Sequence, residues 1–109
     1  MNDENVRWLE SHGFAKKENV CTAPGGVEWE RRLNGKSRLS VVHERDGNWC
    51  CVADTSMLIR CERGMSARDA CMAAARVLAV QCRDIVDRCR VDGGAMKGFL
   101  EEAEDVRDE

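Results

Sequence analysis

VEWERRLNGKSRLSVVHERDGNWCCVADTSMLIRCER, residues 27–63, is the stretch that decides the fold. Apolar and polar residues alternate through four short runs at 27–33, 37–45, 49–54 and 57–63. Asn34-Gly35, Asp46-Gly47 and Thr55-Ser56 separate the runs, and such pairs favour hairpin turns. The expectation is an antiparallel meander of four strands. A slip of one residue inverts a strand, so loop length is tested by which choice keeps apolar side chains on one face. A two-residue Asn34-Gly35 loop sets Trp29 opposite Ser40. An odd loop over 34–36 sets Trp29 opposite Val41 and is preferred. Two-residue loops at Asp46-Gly47 and Thr55-Ser56 then pair Val41 with Val52, His43 with Cys50, Val52 with Ile59 and Cys50 with Cys61. The apolar face so built carries Val27, Trp29, Leu33, Leu39, Val41, Cys50, Val52, Met57, Ile59 and Cys61. Trp49, Val42, Cys51 and Leu58 fall on the other face among charges.

Outward from the meander, the spacing predicts a short helix over 2–12, ended by Gly13. Residues 14–22 read as either a weak fifth strand, with Phe14 and Val20 inward, or an irregular connection; Pro24-Gly25-Gly26 is a break. On the other side, Ser66-Ala67-Arg68-Asp69 opens a helix in the manner of a capping box. Cys71, Ala74, Ala75, Leu78, Cys82, Ile85 and Cys89 form one stripe at three- and four-residue steps, which carries the helix to about Val91. A helix of that length is roughly 39 Å and outruns a strand of roughly 23 Å. Gly93-Gly94 is expected to stop it. A last helix at 95–106 would then fold back on the surplus, in the same chain or a second one. The fold class is α+β, a single domain over 1–109, with a frayed acidic tail at 101–109.

The chain has 109 residues, a net charge of -3, 43% hydrophobic and 34% charged residues, which suits one globular domain. No run of about 18 apolar residues exists to span a membrane. The polar, acidic start MNDENVRWLE is unlike an export signal, and the expected location is cytoplasmic.

Seven cysteines are the loudest feature of the composition. A disulfide scaffold would need export and an even count. No Cys-x-x-Cys is present, though the expected register sets His43, Cys50 and Cys61 side by side as a candidate metal or thiol site. The reading ranked first treats the thiols as reduced core filler, with Cys21 and Cys51 as the exposed exceptions. Cofactors are not implied. Only His12 and His43 could serve as a catalytic base, no phosphate loop is present, and no enzyme is expected.

Three contact surfaces compete. Protein binding, self-association included, would use Ile85, Val86, Cys89, Met96, Phe99 and Leu100 on the surplus helix, or the Trp49 face of the sheet. Nucleic acid would use Arg31, Arg32, Lys36 and Arg38 around the first hairpin tip, although a charged tip also guards a strand edge. The metal or thiol reading would use His43, Cys50 and Cys61. Binding of an unidentified protein, or of a second copy, ranks first.

From Glu44 to Leu78 the chain resembles HicB-like antitoxin domains: an Asp46-Gly47 hairpin, a further strand, then Gly64-Met65-Ser66-Ala67-Arg68-Asp69-Ala70 opening an Ala-rich helix. The resemblance covers about a third of the chain. It departs at the start, where a helix replaces the first strand, and no DNA-binding segment follows. In size the chain is also similar to small phage and prophage proteins that bind and block a host protein.

Overall fold

The computed structural model describes the backbone of residues 3–108 and the side chains of residues 4–104. The order is α1 (Asp3–Ser11), β1 (Ala15–Lys17), β2 (Glu28–Arg32), β3 (Arg38–His43), β4 (Trp49–Asp54), β5 (Ile59–Gly64) and α2 (Ala67–Asp108). The strands form one antiparallel sheet in sequence order, β1 to β5. The α+β class therefore holds. The fifth strand is the short β1, cut from the ambiguous stretch at 14–22. The chain divides into two units, Met1–Leu78 and Ala79–Glu109.

The first hairpin has the odd loop. Trp29 lies opposite Val41, and Leu33 N–H donates to Ser37 O across Asn34-Gly35-Lys36. The Asn34 side chain accepts from Lys36 N and Ser37 N, which holds the loop as an Asx turn.

The second hairpin differs from the expectation by one residue. Glu44 N–H donates to Asn48 O, so the loop is Arg45-Asp46-Gly47 rather than Asp46-Gly47. Gly47 has φ of 92° and donates to Glu44 O at 3.0 Å, the left-handed position of a three-residue hairpin. Asp46 accepts from Asn48 N at 3.0 Å and adds local support. Val41 therefore faces Cys51, Val42 faces Cys50 and His43 faces Trp49. The whole of β4 is inverted relative to the sequence reading.

In the third hairpin the loop is Ser56-Met57, not Thr55-Ser56. The Thr55 hydroxyl accepts from Leu58 N and Met57 N. That moves the register by two residues and keeps the parity: Val52 faces Cys61 and Asp54 faces Ile59.

The core of the first unit follows. Leu9 and Phe14 come from α1 and its exit; Trp29, Leu39, Val41, Trp49, Cys51 and Ala53 come from one sheet face; Ala67, Ala70, Cys71, Ala74 and Leu78 come from the start of α2. Cys50, Val52, Ile59 and Cys61, expected in the core, lie on the opposite face, and Ile59 is 67% exposed. The start of α2 is tied down twice. Ser66 Oγ accepts from Asp69 N, as a cap should, and the buried Asn5 side chain accepts from Ala67 N at 2.7 Å. Gly64 closes the approach of β5 to this turn. A Cβ there would lie 2.6 Å from Ala70 N, so any side chain must push the helix away.

The second unit is helical from Ala79 to Asp108. Gly93-Gly94 does not stop α2, and neither glycine takes a positive φ. Each costs about 1 kcal/mol against alanine in a helix, too little to end one with good formers on both sides. The expected turn and separate helix at 95–106 are absent. The expectation of fraying over 101–109 lies partly outside the described residues; α2 continues to Asp108.

Candidate functional site

The inversion of β4 separates the candidate metal residues. His43 shares the core face with Trp49 and stacks on it, with ring centroids 4.3 Å apart and planes 4° from parallel. Cys50 and Cys61 sit on the other face, diagonal across β4 and β5, with Sγ atoms 3.0 Å apart. His43 therefore does not join them. Among the described residues, no three His, Cys, Asp or Glu side chains gather closely enough to hold a metal ion.

The thiols sort by face. Cys51, expected to be exposed, is fully buried beside Cys71 from α2. The neighbouring Cys71 thiol and then desolvation hold its proton far above the usual thiol range. Cys50 is half-buried, and desolvation followed by its bond to Cys61 pushes its pKa up to about 12. Both are poor nucleophiles at neutral pH. Cys21, Cys61 and Cys89 are exposed.

A linkage follows. An unfolded thiol ionises near 9.0, whereas folded Cys50 keeps its proton to about 12. A raised folded pKa gives stability that is fully present below the unfolded value and lost as pH climbs through this interval. The urea midpoint is expected to fall as pH rises above 9, and to fall less steeply in Cys50→Ser. Parallel pH profiles for the two proteins would remove Cys50 as the cause.

The basic hairpin is largely neutralised. Arg32 and Arg38 lie opposite each other, and both reach Glu30, which is 9% exposed. Arg38 also pairs with Asp54, and Lys17 donates to Glu30 at 2.8 Å. The Lys17 bond, opposed by burial and helped by the two arginines, lowers the Glu30 pKa. Arg31 points to the other face and donates to His12 O. Lys36 stands at the loop tip. The four cations do not form one unpaired stripe.

One cleft of about 400 Å³ opens at the margin of the core face. Val6, Val27, Trp29 and Trp49 supply apolar walls, and Lys16, His43 and Arg45 supply cationic ones. Its lining holds no Cys, Ser, Asp or Glu. Trp49 itself is only 6% exposed and belongs to the core, not to an open sheet surface.

Among the described residues, the second unit exposes six large apolar side chains along one helix. Val80, Val86, Val91, Met96, Phe99 and Leu100 are all more than half exposed, and Phe99 reaches 64%. Cys89 is exposed and Ile85 half-buried. The interface residues read from the sequence on this helix thus lie together on one continuous element. The expected stop at Gly93-Gly94 broke their stripe in two. Leu78, Cys82, Ile85, Cys89, Asp92, Met96, Phe99 and Ala103 succeed one another at steps of 4, 3, 4, 3, 4, 3 and 4. That is an unbroken heptad seam, and it was findable by letting the stripe run through Gly93-Gly94.

Among the described residues, no helix is long and apolar enough to cross a membrane. No protein family model, curated protein or solved structure matches the chain.

Proposed function

We propose that the protein is a non-catalytic protein-binding module that associates with a second copy of itself through the second half of α2. The observation that carries this reading is the heptad seam from Cys82 to Ala103, in the part of the helix where Met96, Phe99 and Leu100 stay exposed. Residues 79–108 give about 45 Å of helix, ample for a two-stranded contact. Coiled-coil pairing removes Met96, Phe99 and Leu100 from water and requires no rearrangement of the sheet. The seam is an uneven one. It holds two cysteines, one alanine and Asp92 beside its larger members, so the affinity should be moderate, with a Kd on the order of 1 μM.

Sedimentation equilibrium tests it. The wild type is expected to dimerise. Ile85→Glu with Phe99→Glu is expected to be monomeric, with a sheet signal in circular dichroism like that of the wild type. A wild type that stays monomeric at about 100 μM would overturn the reading.

A further inference from the structure

We infer that the second copy lies antiparallel to the first along α2, with the two-fold axis at Gly94. The inference rests on the self-association proposed above and adds its direction and register.

The seam contains two alternating sets. Cys82, Cys89, Met96 and Ala103 form one; Ile85, Asp92 and Phe99 form the other. In a parallel pair each set meets itself. Asp92 would then face Asp92 of the second copy inside the seam, two like charges sharing one desolvated layer. Glu101, Glu102 and Glu104 would also run beside their own equivalents. With one helix reversed, the sets meet each other.

Centred on Gly94, the layers become Cys89 with Phe99, Ile85 with Ala103, and Asp92 with Met96. Each layer sets a smaller side chain against a larger one, as close packing requires. The two Asp92 carboxylates move four residues apart, about 6 Å along the axis. The flanking positions agree with the same register. Arg88 meets Glu102 twice along one edge of the dimer, and Val86 meets Leu100 twice along the other. Gly93 meets Gly93 at the centre. Gly93 and Gly94 face open space, so both leave room for a second backbone. A shift of one heptad one way sets Arg88 against Ala95; a shift the other way sets it against position 109, past the end of α2 at Asp108, and leaves Cys89 without the Phe99 ring. Charge and volume therefore select one arrangement from the several that a heptad repeat allows.

Oxidation of thiols reads the direction. Wild type and Phe99→Cys are treated with diamide at a concentration where sedimentation shows the dimer. In the antiparallel dimer neither Cys82 nor Cys89 meets a thiol, so the wild type gives no disulfide between two α2 helices. Phe99→Cys is expected to give a covalent dimer whose proteolytic peptides join Cys89 to position 99. A wild-type disulfide between the two Cys89 residues would overturn the antiparallel direction while leaving self-association standing. A monomeric wild type would remove both. Loss of the Phe99 ring can itself loosen the dimer, so a charge exchange gives a second measurement. Arg88→Glu and Glu102→Arg are each expected to weaken dimerisation about five-fold, and the combination to restore it. A combined variant as weak as the single ones would overturn the register.

Discussion

Cys51→Asp is expected to unfold the protein at room temperature or bring it close, whereas Cys50→Asp leaves it folded. The two positions are adjacent and carry the same residue, so the comparison isolates the face of β4. Cys51 has no solvent exposure and packs against Cys71, opposite Val41 and Glu62. A carboxylate there has no cation opposite it and faces Glu62, a like charge, on β5. An uncompensated buried charge costs about 3–5 kcal/mol, and small domains hold only about 5–15 in total. Cys50 lies opposite Val42 and Arg63 on the open face, and Arg63 already binds Glu44 and Asp46. An added carboxylate there is partly desolvated beside Glu44 but has the Arg63 guanidinium opposite it, so the change should cost clearly less than the buried charge at position 51, about 1–2 kcal/mol. Urea denaturation of both variants decides it. If Cys50→Asp proved the more damaging, the two-residue loop at Asp46-Gly47 would be right and the inversion of β4 wrong.

The same pair of cysteines shows where the sequence was legible and where it was not. The first hairpin could be read because Trp29, Leu39 and Val41 are large, and only the odd loop put them on one face. The second offered no such contrast. Trp49, Cys50, Cys51, Val52 and Ala53 are all acceptable inside, so either parity of β4 yields an apolar face. The turn did not decide either, because a left-handed Gly47 serves both the two-residue and the three-residue loop. What settles the parity is tertiary: α2 brings Cys71 onto Cys51, and Gly64 admits the helix start only because it lies opposite Trp49 on that face.

The candidate interface had the opposite history. Its residues were visible as an apolar excess beyond the length of the sheet. Their continuity was hidden by Gly93-Gly94, which resembles a stop signal. Glycine ends a helix most effectively by taking a left-handed conformation just past the last turn, as Gly13 does after α1 with φ of 80°. Phe14 N–H donates back to Leu9 O there, and Phe14 is buried, which rewards the exit. Beyond Gly94 nothing comparable is available. Ala95, Met96 and Lys97 are good helix formers, so the helix continues and the heptad survives.

Trp49→Ala should be the most damaging truncation in the molecule, with Phe99→Ala as its counterpart. The sequence placed both aromatics on contact surfaces. The structure separates them: Trp49 is 6% exposed and Phe99 is 64% exposed. Trp49 stacks on His43, lies opposite Gly64 and shares a wall of the cleft with Trp29. Removing its indole leaves a cavity lined by groups that the rigid β3–β4–β5 ladder cannot bring together, at a cost of about 3–5 kcal/mol. For a unit of this size each kcal/mol shifts the melting temperature by roughly 4–8 °C, so the loss should be unmistakable in a thermal scan. Phe99→Ala removes almost as much apolar surface from a side chain that the single chain leaves in water. Its effect on unfolding of the monomer should be within about 0.5 kcal/mol, and its effect on the sedimentation equilibrium should be large. Melting both variants at a concentration below dimerisation separates the two roles. A Trp49→Ala protein that melts within a few degrees of the wild type would mean that the indole is not core and that the open-face reading of β4 was correct. A Phe99→Ala protein that melts far below the wild type, yet dimerises as well, would place Phe99 inside a fold and leave the seam without its largest member.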